Sequence, residues 1–314
     1  MTDLITTKAS ALKAATGSDM DPSRPARRRT RKERQLGRRS LRRFILTQPL
    51  GAVALFIIAG LVVAAVFAPL IAPFDPITQN RANFQSPPGG KFLMGTDDLG
   101  RDVFSRVLFG ARTSLLVSVA TVLIAGSLGV AIGTLSGYYG GRWVDSLIQR
   151  IMDTLMAVPG LVLLLFIAAL LGPSIRNTIV ALSLLVVPSF NRVARGEMLR
   201  IREEPYVEAA RASGSGVVRI LVRHGLPNMF APLVVIGSLM FAVVLIAESA
   251  LSYLGIGTPP PTASWGRMLS EGTKFLETSP WMVVFPGGIL TIAVLAFNLL
   301  GDSLRDFLDP KRTR

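Results

Sequence analysis

Residues 203–228 read EEPYVEAARASGSGVVRILVRHGLPN, a polar island between two long hydrophobic runs. Pro205 suits a first helical position, residues 206–213 are good helix formers, and Gly214 can take the left-handed conformation that ends a helix. Ser215 is placed to cap a second helix in which Val217, Ile220 and Leu221 form one apolar stripe and Arg219 and Arg223 lie on another face. Pro227 sets the limit of that second helix. The stretch therefore predicts a compact helix-turn-helix, with small side chains at Ala209, Ala210 and Ala212 that let a partner's surface approach closely. The plain alternative is an ordinary loop between two membrane spans.

The flanking composition decides the class. Half of the 314 residues are hydrophobic and 17% are charged, and the apolar runs are too long for a soluble core, so the chain reads as a polytopic, all-α membrane protein. There is no cysteine, which removes disulfide, iron–sulfur and thiol-nucleophile chemistry, and a single histidine, His224, cannot build a multi-histidine metal site. No catalytic residue and no metal site are expected. The net charge of +14 is unevenly spread: residues 24–43 hold eleven Lys or Arg against one acid, Glu33. Such a tail suits either nucleic acid or anionic lipid. Because it runs directly into a hydrophobic span, it reads as a cytoplasmic anchor that touches membrane lipid, with no nucleic-acid partner.

Outward from the island, six apolar stretches qualify as spans: residues 50–72, 114–137, 151–171, 177–190, 231–254 and 283–300. Gly126, Gly129, Gly133 and Gly137 give the second span a small-residue face for close helix packing. The third carries Asp153 near its start and Pro159 as a kink. The fourth is short, and crosses only by continuing into Arg195. If it crosses, 26 of the 34 Lys and Arg share one side with both termini and the island, and eight lie on the other. That asymmetry places both termini and residues 203–228 in the cytoplasm. The organisation is then a basic, largely disordered tail (1–47), a first helix with an external segment (48–113), a core of five helices (114–303) and a cytoplasmic tail (304–314). Glu248, near the outer end of the fifth span, and Asp153 are ionisable groups in spans, hence candidate pathway residues or carboxylates bonded to neighbouring helices. Trp265 and Trp281 are expected as interfacial anchors around a stiff segment at Pro259 to Pro261.

Three motif blocks carry a resemblance. Glu208-Ala209-Ala210, three residues, Gly214, then eleven residues to Leu226-Pro227 resembles the EAA loop of ABC importer permeases, with His224 at a position often isoleucine in the general pattern. Gly95-Thr96-Asp97, with Gly100-Arg101-Asp102, resembles an external signature of dipeptide, oligopeptide and nickel permeases, and the run from Glu248 to Gly266 is similar to the same branch. The resemblance covers roughly residues 44–309. It implies the C-type permease subunit of a bacterial inner-membrane importer with the type I ABC importer permease fold. It further implies a second permease subunit in a heterodimer, two ATP-binding subunits and an external substrate-binding protein. Glu208, Ala209, Ala210, Gly214, Leu226 and Pro227 would then couple the chain to the ATPases. No G-x-x-x-x-G-K-[ST] loop occurs in the sequence, so ATP and Mg are expected on the partner subunits. The implied substrate is a di- or oligopeptide, with nickel chelates, glutathione, opines or glycans as alternatives.

Two readings compete with it, the second a membrane-anchored nucleic-acid binder using Arg24 to Arg43, and one local alternative concerns the external charges. A proton-coupled secondary transporter would use Asp153 or Glu248 as a relay and need no ATPase. A calcium-like site among Asp97, Asp98 and Asp102 is opposed by Arg101 and Arg106, whose charges repel a cation.

Overall fold

The computed structural model describes residues 44–308 and is all-helical apart from isolated bridges and loops. Residues 1–43, which hold most of the basic tail read as disordered, and 309–314 lie outside the described residues. The helices are α1 (Pro49–Val66), α2 (Ala68–Ile71), α3 (Val103–Tyr138), α4 (Trp143–Ala157), α5 (Gly160–Leu171), α6 (Ile175–Ile201), α7 (Pro205–Ala212), α8 (Val217–Ile220), α9 (Leu226–Tyr253), α10 (Trp265–Gly272) and α11 (Trp281–Leu308). Of these, α1, α3, α6, α9 and α11 are long and apolar enough to cross a membrane. The pair α4 and α5, bent by 91° at Val158 and Pro159, is apolar enough to be a sixth if taken together as one broken segment.

Several boundaries differ from the sequence expectation, each for a local reason. Helix α3 begins at Val103, eleven residues before the expected span, because Asp102 caps it: its carboxylate accepts from Ser105 N (2.8 Å) and Ser105 Oγ (2.6 Å). The division drawn at 113/114 thus falls inside a helix. The third span is not a kinked rod from residue 151 but two helices. The amphipathic α4 starts at Trp143, within the expected loop, and the twelve residues of α5 reach only about 18 Å at 1.5 Å per residue. The fourth stretch is long enough to cross: α6 runs 27 residues and carries Asn191 and Arg195 inside its length. At the ends, Phe44 is already packed edge-on against Phe307, with ring centroids 5.3 Å apart, and α11 continues to Leu308.

The core is the contact between α3 and α6. A Cβ at Gly129 would stand 2.7 Å from Val187 O; one at Gly133, 2.5 Å from Asn191 O; and one at Gly137, 2.6 Å from Arg195 O. Spaced one turn apart, these three glycines bring two backbones together where any side chain would push them apart. Val117, Ala125, Val186, Val187 and Phe190 extend the same packing, and α9 joins through Val244 and Leu251. On the other side of α9, Phe241 stacks on Phe297 of α11 at 3.9 Å. Helix α1 packs against α11 and α3 and exposes Leu50, Val53, Phe56 and Val62, the apolar sheath that lipid would cover.

Because no flexible side chain can yield at this seam, Gly133→Leu is expected to cost at least about 3 kcal/mol, at the upper end of overpacking. The measurement is the monodisperse, detergent-extracted fraction by size-exclusion chromatography. Gly60→Leu, at a position open to its surroundings, is the matched control and should be tolerated.

Candidate functional site

The polar island forms two short helices joined by a turn that its sequence specifies. Pro205 occupies the first turn of α7, where its missing N–H is not needed. Gly214 has φ +76°, and its N–H donates to Arg211 O (2.9 Å) while Ser215 N donates to Ala210 O (3.0 Å), the paired bonds of a Schellman end. No atom lies within 4 Å of a Cβ built at Gly214, so conformation alone selects glycine there. Two details depart from expectation. The cap of α8 is Gly216 rather than Ser215, with no side-chain bond, and the second helix does not stop at Pro227. It passes through a π turn at Leu221–Gly225, in which Leu226 N donates to Leu221 O, and runs into α9 with Leu226 and Pro227 in its first turn.

The element has one pinned face and one free face. Val207 and Ile220 are fully buried with Ala194, Met198 and Ile201 of α6 and Met229 of α9. Glu208, Ala209, Gly214 and Pro227 are exposed, while Ala210 and Leu226 are half-buried. His224 packs on Tyr206 (centroids 5.9 Å apart), and Asn228 Nδ2 donates to Tyr206 Oη (3.2 Å) and His224 O (2.7 Å), clamping the two helices at their open end. The arrangement is a packed knob whose outer surface carries the small side chains of Ala209, Ala212 and Gly214 beside the exposed carboxylate of Glu208.

The external signature folds into a hook tied to α10. Gly95 and Gly100 have φ +75° and +73°, and a Cβ at Gly100 would fall on Asn80 O. Thr96 is fully buried: its hydroxyl donates to Asn83 O (2.5 Å) and accepts from Ser86 N (2.8 Å). Asp97 accepts from Arg101 N and Arg101 Nε (2.9 and 2.6 Å), and Glu271 accepts from Arg101 Nη2, Arg106 Nη2 and Arg267 Nε at 2.8–2.9 Å. Asp97, Asp98 and Glu271 bring carboxylate oxygens within 4.8 Å of one another, but the three arginines already oppose that charge. Burial, then the charges of Asp97 and Glu271, holds the Asp98 carboxyl above its usual pKa. Glu271, the centre of this cluster, carries no sequence motif. The tryptophans belong to the same structure, and Trp265 is not an interfacial anchor. Trp265 is fully buried and donates from Nε1 to Val107 O (3.1 Å), and Trp281 donates to Thr96 O (3.0 Å).

The two span carboxylates are not brought together. Glu248 is fully buried and accepts from Ser114 Oγ (2.9 Å) on α3 and Ser252 Oγ (2.8 Å), a bond between helices, whereas Asp153 is exposed on α4. A polar cluster that sequence reasoning missed lies at Asp145 and Arg195. Arg195 Nε and Nη2 donate to the two carboxylate oxygens of Asp145 at 2.7 and 2.8 Å.

Comparison with known proteins identifies this architecture. Residues 129–314 match the family model described as "Binding-protein-dependent transport system inner membrane component", and residues 35–88 match the N-terminal TM domain of oligopeptide transport permease C. The chain belongs to this family of importer permeases. Among similar proteins, the dipeptide transport system permease protein DppC of Alkalihalophilus pseudofirmus is 42% identical over 262 residues, 83% of this chain and 86% of the relative. A putative peptide transport system permease protein of Brucella suis is 44% identical over 263 residues (83% and 87%). DppC of Haemophilus influenzae is 39% identical over 275 residues (85% and 93%). A chain of the methionine ABC transporter MetNI in an inward-facing conformation superposes with a TM-score of 0.54, covering 66% of this chain and 98% of that one at 16% identity. The permease thus has the type I ABC importer permease fold and is a multi-pass inner-membrane protein.

Two outcomes follow from the geometry. At Gly214, Gly→Asn should be tolerated while Gly→Val costs about 2 kcal/mol of local stability, read as faster amide exchange across residues 205–212. In the external cluster, Glu271→Gln removes the carboxylate that three arginines share, leaving Arg101 and Arg106 to Asp97, and should lower the thermal midpoint in detergent by several degrees, a loss of about 3 kcal/mol. Asp98→Asn removes the same charge with the opposite result. The folded Asp98 keeps its proton to higher pH than the unfolded one, so its ionisation costs stability as pH rises through the folded pKa, and the midpoint at neutral pH should be unchanged or higher.

Proposed function

We propose that this permease forms one half of a heterodimeric pore that imports di- or oligopeptides, driven by ATPase subunits that grip the knob built from residues 203–228. The observation that carries the proposal is the two-faced character of that knob. Its inner face is locked to the ends of α6 and α9 by Val207 and Ile220, so a displacement of the outer face moves both spans. Its outer face presents Ala209 and Ala210 for close seating and Glu208 for one oriented charged contact, as a short helix docking into a groove requires. ATP and Mg would be bound by the partner subunits, and the external binding protein would deliver substrate. The peptide assignment rests on relatives named as dipeptide and peptide permeases, which the chain matches over most of its length.

Coupling then needs only two arrangements of the pore with different affinity for the closed ATPase pair. Affinity purification from mild detergent should recover a second permease and ATP-binding subunits, and the reconstituted complex should accumulate a labelled dipeptide only with ATP and the binding protein. Glu208→Lys should weaken retention of the ATPase subunit by about 10- to 100-fold, within the range of a disrupted interfacial charge contact. Recovery of a lone chain that transports without ATP would overturn the proposal.

A further inference from the structure

A polar clamp joins the base of α6 to α4. Asp145 is 4% exposed. Besides the fork of Arg195, it accepts from Ser136 Oγ of α3 (2.6 Å) and from Gly141 N (3.0 Å). Gln149, one turn further along α4, donates to Ser136 Oγ at 2.8 Å. Every acceptor position of the carboxylate is thus directed at α3, the α3–α4 turn or α6. Asp145 and Met152 are the only fully buried residues of α4, so the polar contact joins the packing of Met152, Ile148 and Leu155 in fixing this helix to the bundle. Arg195 lies less than two turns before Ile201, where α6 ends, and Glu204 N donates back to Ile201 O (3.1 Å) as the chain enters the knob.

Beyond α4 the chain breaks. Val158 and Pro159 turn it through 91° into α5, and the two sides of this break, with α6 and α9, line a cavity of about 600 Å³ whose wall includes Met156, Val158, Leu161, Leu185, Met240 and Val243. A lever is therefore laid out along the chain: the knob is fused to α6, α6 is forked to α4, and α4 ends at a hinge beside the cavity. Arginine suits the joint because its planar guanidinium fixes the angle as well as the distance, which a lysine ammonium does not.

We propose that Asp145 and Arg195 are positioning residues for coupling, making α4 and the cytoplasmic end of α6 move as one body so that displacement of the knob bends the chain at Val158–Pro159 and reshapes the cavity. This inference rests on the coupling function proposed above. It assigns to the pair a role distinct from stabilising the fold, because the contact lies between the element that receives the motion and the element that borders the cavity.

The test uses the complete transporter in proteoliposomes. Arg195→Lys and Asp145→Asn should leave subunit assembly and ATP hydrolysis within about twofold of wild type while raising the ATP hydrolysed per peptide imported by about tenfold, within the usual range of an allosteric coupling. Unchanged stoichiometry in both variants, or uptake lost only in proportion to assembled complex, would overturn the inference. If wild type itself shows no ATP-dependent uptake, the proposed function fails before the clamp is tested. A second measurement avoids any folding defect of the variants. The chain has no cysteine, so spin labels can be placed at Leu147→Cys in α4 with either Arg200→Cys in α6 or Leu170→Cys in α5. On trapping with ATP, the 147–200 distance should stay fixed and the 147–170 distance should change. Movement between 147 and 200 with 147–170 fixed would overturn the inference.

Discussion

Three glycines set the distance from which the rest of the permease is measured. Gly129, Gly133 and Gly137 let α3 and α6 meet backbone to backbone. In a membrane this matters more than in water, because lipid is as apolar as leucine and helices are held by close packing and interhelical bonds rather than by expulsion of water. With α3 and α6 in contact, Arg195 reaches Asp145 and Ser136 reaches the same carboxylate. A wider spacing would leave a charge in the bundle without its partner. The small-residue seam is therefore the condition under which the polar clamp can exist.

The same logic orders the other polar groups. Glu248 between α3 and α9 is enclosed by serine hydroxyls, and Glu271 on the external side is enclosed by arginines. Both are held by several partners from different elements, so each ties segments distant in sequence, and neither is free to serve as a relay while those bonds persist. The external hook is fixed in turn by Thr96, whose hydroxyl closes onto Asn83 and Ser86 and whose carbonyl takes the indole of Trp281.

What the sequence made legible was whatever depends on periodicity or on one backbone position. The glycine stripe repeats with the helix, Gly214 needs a left-handed φ, Pro205 marks a first turn, and the basic residues sort by side of the membrane. The missed features are tertiary pairings or competing local signals. Asp145 and Arg195 are fifty residues apart; Arg195 was read only as a topological charge, and Asp145 carried no signal of its own. The available clue was length: a fourteen-residue span that must continue past Arg195 to cross obliges that arginine to find a carboxylate. Helix α3 was begun too late because the Asp102–Ser105 cap lies inside a charged signature that reads as loop. Trp265 resembled an interfacial anchor because its burial depends on tertiary approach: Gly110 stands against its ring, and Gly266 beside it lets the chain close onto the backbone of Ser249. Glu271 stood in an otherwise unremarked polar segment, and only the fold brings it to Arg101 and Arg106.

Rigidity and compliance are distributed unequally along the membrane normal. On the external side the hook, α10 and the start of α3 are joined by ion pairs, indole hydrogen bonds and backbone contacts to two glycines. Toward the cytoplasmic side the helical ladder is interrupted: the chain breaks at Val158–Pro159, a π turn at Leu221–Gly225 adds a residue to one turn between α8 and α9, and Gly214 reverses the chain outside any packing. A π turn keeps its backbone bonds while changing helical register, so it can absorb a small rotation without exposing peptide groups to lipid. The knob is thus packed on α6 and α9 through Val207, Ile220 and Met229, while its chain enters α9 through the more adaptable turn. Force applied to its outer face would reach both spans, and along α6 it arrives at Arg195, which connects that helix to α4.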